Sequence, residues 1–312
     1  MSVYTTLTRS QIESFIAPYG LGELIQFQGI SAGIENTNYL LTTVQGDFVL
    51  TIYEHFSSSE VFCYLELLLQ LASSASYYPY PLVDQYQESL QVLLDKPAAL
   101  FNCLPGKSLQ YVSAQQQLAI ATALASLHSR STSLQFVKKN RKGLPWLAAT
   151  VKKVANELSA QDLILLNDEL AFQQKHHVEH LPRGVIHADL FKDNVLFVED
   201  TLTGMLDFYA ACCDCYLLDI AITLNDWCIS QQGEFQYQQQ ALFMQTYQQI
   251  RQVSAEELAY LPLFLRRASL RFWLSRLEHK LCPRVGEVTQ EKDPDVFKKL
   301  LLQHRQKSIP LE

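Results

Sequence analysis

GVIHADLFKDNVLF, residues 184–197, decides how the chain is read. Two apolar runs, Gly184 to Ile186 and Val195 to Phe197, bracket a polar stretch in which His187 and Asp189 are followed, five residues after the Asp, by Asn194. Apolar β-branched runs on either side of a polar segment predict strand, loop, strand. A lone His-x-Asp fits an ordinary polar turn, because Asx side chains hydrogen-bond their own backbone. Here a third strand pattern, TGMLDFYAA at residues 203–211, brings Asp207 one short hairpin after Asn194.

That set suits phosphoryl transfer from a nucleotide, which asks for a base near the acceptor hydroxyl and metal ions across the phosphates. Asp189, acceptor-only when ionised, is the candidate base. Asn194 through its carbonyl oxygen and Asp207 through its carboxylate are the candidate Mg2+ ligands, because hard cations take oxygen donors. His187 is read as holding the loop.

The rest of the chain predicts an α+β protein. At 312 residues, 48% apolar and 18% charged, it is globular and long enough for two lobes. Strand patterns cover GELIQFQGI, TNYLLTT and GDFVLTIYE, the last after a Gln-Gly-Asp turn at 45–47. A helix pattern follows at SSSEVFCYLELLLQLASS, then two strands around an Asp-Lys-Pro turn in SLQVLLDKPAALFNCL. The expectation is a five-stranded antiparallel sheet with one inserted helix over residues 1–104. Residues 105–312 read as mainly helical, with patterns at 113–129, 146–176, 216–229, 234–250 and 255–281.

The net charge of −7 argues against nucleic acid, and the basic clusters KKNRK (138–142) and FLRRASLRFW (264–273) are too short to change that. The N-terminal residues lack a signal-peptide pattern and no run of apolar residues suits a bilayer, so a cytoplasmic protein without membrane contact is expected. Seven cysteines without framework spacing read as reduced thiols, and ACCDC (211–215) as buried ones rather than a metal knuckle. His176 and His180 read as a solvated helix end.

HADLFKDN with MLDFY resembles the catalytic loop and metal Asp of the aminoglycoside phosphotransferase and choline kinase superfamily, which shares the protein-kinase-like two-lobe fold. SAGIENTNYLLTT, GDFVLTIYE, KPAALFNCLPGKSL, LLDIAITLNDWC and LRRASLRFWLSRL further resemble the homoserine kinases of that superfamily, over about residues 25–281. The resemblance implies ATP and Mg2+ as cofactors and phosphorylation of the homoserine hydroxyl, a step of threonine biosynthesis. Its alternatives are another small hydroxylated amine as acceptor, choline, ethanolamine or an aminoglycoside, or a nucleotide-binding pseudokinase. The partner is a small molecule, and either a monomer or a homodimer fits.

On this resemblance residues 1–104 form a nucleotide-binding lobe and 105–312 a catalytic and substrate lobe. Ser31, Gly33, Asn36, Thr37 and Asn38 take the place of the phosphate loop. Thr51 stands where most relatives carry a Lys, which leaves Glu60 without its usual partner and points to Lys192 as a phosphate cation. Asn102 and Leu104 lie in the hinge that faces adenine, and Asp219 braces the catalytic loop. Homoserine is a zwitterion. Arg267 and Arg271, four apart, suit its carboxylate, and Asp226 its ammonium, although each also fits a surface salt bridge. Choline would ask instead for an aromatic cage, for which Tyr209, Trp227 and Trp273 are the available rings.

Overall fold

The computed structural model describes residues 4–30, 36–176, 178–282 and 292–307. Ser31 and Gly33 lie outside them. The described chain divides into two compact units, one holding residues up to 106 with 203–206, the other the remainder.

Five antiparallel strands build the first unit: β1 (Leu24–Ile30), β2 (Thr37–Thr43), β3 (Gly46–Ile52), β4 (Gln91–Leu93) and β5 (Lys96–Asn102), in the order β1-β2-β3-β5-β4. Alternation sorts their side chains. Tyr39, Leu41, Leu50, Ile52, Ala98 and Leu100 join one core cluster with Ile12, Phe15 and Ile16 of helix α1 (Arg9–Ile16). Asn38 and Thr51, one residue out of phase and paired across β2 and β3, occupy the opposite face. Helix α2 (Ser58–Ala72) follows β3, as the sequence predicts, with buried Val61, Leu65 and Leu68.

Helix α1 goes beyond the single helix expected here. Its signal is a capping box: the Thr8 hydroxyl accepts from the Gln11 N–H, while the Gln11 side chain answers the Thr8 N–H. The turn between β4 and β5 also differs from the Asp-Lys-Pro reading. Leu94 and Asp95, at φ 51° and 61°, form the two-residue loop, and Lys96 and Pro97 already belong to β5.

The second unit begins with helix α3 (Ala114–Arg130). The pattern at 146–176 resolves into α4 (Leu144–Val154) and α5 (Ala160–Lys175), because Ser159 caps a new helix by accepting from the Asp162 N–H. Strand β6 (Arg183–Ile186) pairs antiparallel with β9 (Cys212–Cys215) rather than with β7 (Val195–Val198), which is followed by β8 (Thr201–Met205). The cysteine run is thus a strand, with Cys212 and Cys215 buried as free thiols.

Helices α6 (Tyr216–Trp227), α7 (Tyr237–Gln248), α8 (Ala255–Leu281) and α9 (Asp295–Arg305) complete the unit. Asn225 of α6 ties three of them: its Nδ2 donates to Leu265 O and Ser269 Oγ of α8, and its Oδ1 lies 2.8 Å from His304 Nε2 of α9. None of the described helices is long and apolar enough to cross a membrane.

Glu169 on α5 is fully buried and receives Nε and Nη2 of Arg266 on α8. Removing one partner of a buried pair strands the other charge. Glu169→Ala should therefore lower the free energy of unfolding in urea by about 3–5 kcal/mol.

Candidate active site

The loop after β6 is shaped by one carboxylate. Asp219, fully buried on α6, accepts the backbone N–H groups of His187 and Ala188, each at 2.7 Å. That grip holds Ala188 at φ 63°, a left-handed conformation seldom adopted by a residue with a Cβ. Behind Asp219 stands a chain of buried groups: His128 Nε2 lies 3.0 Å from Asp219 Oδ2, and His128 Nδ1 lies 2.7 Å from the Tyr247 hydroxyl. Burial works against a charged Asp219, but the hydrogen bonds from His128 and from the His187 N–H hold its pKa below the usual carboxylate value. Burial likewise lowers the pKa of His128, so the neutral ring donates from Nε2 to the carboxylate and accepts the tyrosine proton at Nδ1.

From this base the loop is pinned at each step. Trp227 Nε1 donates to Leu190 O at 3.0 Å, and the Lys192 N–H donates to Asp226 Oδ2 at 2.7 Å. The Phe191 ring meets Phe272 of α8 edge-on at 4.6 Å. Asp189 N–H donates to His187 Nδ1 at 3.3 Å, which gives His187 the holding part expected for it, and the His187 ring lies 4.4 Å from that of Phe208.

Asn194 Nδ2 donates to Asp189 O at 2.8 Å and to its carboxylate Oδ2 at 3.1 Å. With its nitrogen so engaged, Asn194 turns an oxygen, the hard donor a divalent cation prefers, away from Asp189. Asp207 is exposed, in a left-handed backbone at φ 60°, and its charge acts on Asp189. The candidate base and both candidate metal ligands thus share one small region of the second unit.

Asp189 is only partly exposed, and burial pushes its pKa up to about 7. The charges of Arg271, Lys142 and Lys292 pull it down, and Asp207 pushes it up. Arg271 also donates from Nη2 to Ala188 O at 3.0 Å. The positive charge around the candidate base comes partly from Lys142 and Lys292, which lie 47 and 103 residues from it in sequence.

Other candidates find local partners. Lys192 Nζ lies 3.6 Å from Asp226 Oδ1, so Asp226 meets a lysine of the loop where an acceptor ammonium was expected. Trp227 and Trp273 are core residues at 2% and 1% exposure, which removes them from an aromatic cage. Tyr209 is half-buried. Arg267 donates from Nε to Gln173 Oε1 at 2.8 Å.

In the first unit, the Thr37 hydroxyl donates to Glu54 Oε1 at 2.6 Å and accepts the N–H groups of Tyr4 and Thr5, so its proton is not directed to a phosphate. Glu54 also binds Lys96, and its pKa stays below the usual carboxylate range although burial opposes this. The Thr51 hydroxyl donates to Asn38 Oδ1 at 2.7 Å, a neutral cross-strand pair at the position of the missing lysine. Asn36 is buried, with both amide atoms unpartnered among the described residues. Glu60 forms a capping box with Ser57. Asn102 Oδ1 accepts the Tyr80 N–H at 2.6 Å, and Leu104 is half-buried.

The model of the phosphotransferase enzyme family matches residues 26–253, most of the chain. The chain belongs to the phosphotransferase enzyme family. Its relatives include the homoserine kinase of Methylobacillus flagellatus, 42% identical over 96% of this chain and 94% of that protein, and that of Methylobacillus glycogenes, 40% identical over 96% and 95%. Among solved structures, a spectinomycin phosphotransferase in complex with ADP and spectinomycin superposes with a TM-score of 0.72 at 14% identity, over 97% of this chain and all of that one. At that identity the likeness shows the fold, which is protein-kinase-like, as the sequence predicts.

The raised pKa of Asp189 has a consequence for stability. An unfolded Asp titrates near about 3.9, so between there and about 7 the folded metal-free chain binds a proton that the unfolded chain releases. Stability supplied by the neutral form is therefore lost as pH rises through that window. Asp189→Asn should raise Tm more at pH 8 than at pH 5, as read by calorimetry.

Proposed function

We propose that the chain transfers the γ-phosphoryl group of ATP to the side-chain hydroxyl of homoserine. The observation that carries this reading is the identity of 42% with a curated homoserine kinase, spread across 96% of this chain and 94% of that one. The surroundings of Asp189 agree with it. Arg271, Lys142 and Lys292 place positive potential at the base, which suits an acceptor bearing a carboxylate and opposes a polycation such as an aminoglycoside.

Asp189 takes the hydroxyl proton as the acceptor oxygen bonds to the γ-phosphorus and the bond to the β-phosphate oxygen breaks, leaving O-phosphohomoserine and ADP. Asn194 holds Asp189 through its Nδ2 and presents Oδ1 to a divalent cation, with the exposed Asp207 carboxylate as the second ligand. Those two side chains would hold Mg2+, which would supply positive charge against the charge that develops on the phosphates. Asn36 is the described phosphate-loop candidate whose amide no neighbour claims among the described residues. Lys192, held beside Asp226, adds a cation within the catalytic loop.

Coupled ADP release measures the reading directly. Homoserine should drive release well above choline, ethanolamine or kanamycin, and equal rates without any acceptor would refute it. Asp189→Asn should lower kcat by roughly 10² to 10⁴, the range for a positioned general base; near-normal turnover removes Asp189 from that part. Asp207→Ala should abolish the Mg2+-dependent portion of nucleotide affinity by titration calorimetry, and unchanged affinity would remove it as a metal ligand.

A further inference from the structure

Two arginines on α8 carry buried guanidinium nitrogens that meet no anion among the described residues. Arg271 is 3% exposed; Nη2 reaches Ala188 O, while Nε and Nη1 are buried without a hydrogen-bond partner among the described residues. One turn earlier, Arg267 donates from Nε to Gln173, lies 5.0 Å from the centre of the Phe264 ring, and leaves Nη2 buried and unpartnered among the described residues. Two neighbouring cations are closed by carboxylates: the buried Arg266 by Glu169, and the half-buried Arg251 by Glu257.

The acidic groups whose charge acts on Arg271 already have other partners. Asp219 is filled by His128 and the two loop N–H groups. Asp214 accepts from Asn140 Nδ2 and from the Cys215 N–H. Asp189 accepts from Asn194. Burial lowers the pKa of both arginines below the ordinary arginine value, as for charges incompletely compensated. A buried charge without a partner is costly, and a guanidinium fork matches a carboxylate in shape and hydrogen-bond number.

We propose that Arg271 and Arg267 form the subsite for the carboxylate of the acceptor. The assignment rests on homoserine as that acceptor. Arg271 is bonded to Ala188, the residue before the candidate base, and its charge acts on Asp189, so a carboxylate held on its free edge lies near that base. Arg267, at i−4 on the same helix face, supplies a further donor. Length and charge are then selected together: the hydroxyl must sit a fixed, short distance from a carboxylate.

The test uses the full chain with Arg271→Gln, Arg271→Lys and Arg267→Gln in the coupled assay. KM for homoserine should rise by roughly 10- to 100-fold in the Gln variants, within the range for losing a charge-assisted contact, and less in Arg271→Lys, while KM for ATP stays within about twofold. 3-Aminopropan-1-ol, which is homoserine without its carboxylate, should inhibit every variant no more weakly than it inhibits the unaltered chain. An unmoved homoserine KM, an ATP KM that rises with it, or an equal loss of 3-aminopropan-1-ol binding overturns the subsite. If Arg271→Gln does not fold, Arg267→Gln decides, because Arg267 does not touch the catalytic loop. Absence of homoserine turnover by the unaltered chain removes both acceptor and subsite, whereas turnover with unmoved KM removes the subsite alone.

Discussion

The second unit is organised around the Asp219 carboxylate. Its two oxygens fix consecutive N–H groups of the loop, and a left-handed alanine results. Asp189 thereby follows a backbone held by two buried hydrogen bonds. A buried carboxylate bound by several donors stays ionised, and here the donors include a histidine that is itself fixed by Tyr247. The arrangement is preorganised: the cost of desolvating Asp219 is met during folding and not at the moment of reaction.

Electrostatics around Asp189 pull in opposite directions. Burial favours its neutral form, whereas Arg271, Lys142 and Lys292 favour the carboxylate. The outcome lies near neutrality, where a general base combines proton affinity with a sizeable ionised fraction. A divalent cation, if held beside it, would add positive charge and move the balance further toward the carboxylate.

Much of this was legible in the sequence because the signals are local. The spacing of Asp189, Asn194 and Asp207 marks the loop and hairpin; β-branched and aromatic runs mark β2 and β3; a helical period marks α8 to its ends. Non-local pairing was not legible. Nothing near residues 212–215 announces that the cysteine run is the partner of β6, and no spacing rule brings His128 of α3 behind Asp219. Thr37 and Asp226 were chemically apt for ligands, yet Glu54 and Lys192 claim them through contacts 17 and 34 residues away. Helix α1 was missed for another reason: its capping box sits in a short segment whose apolar face shows only when laid on the sheet.

Helix α6 acts as a ruler for the loop above it. Asp219 receives the N–H groups of residues 187 and 188, Asp226 receives that of residue 192, and Trp227 reaches the carbonyl of residue 190. The two aspartates are separated by about two turns, roughly 10.5 Å of helix axis at 1.5 Å per residue. The loop is thus measured against a rigid pitch at both ends. Inserting or deleting a single residue between Asp219 and Asp226 would swing the far contacts by about 100° around the axis, so this stretch of helix tolerates changes of side chain far better than changes of length.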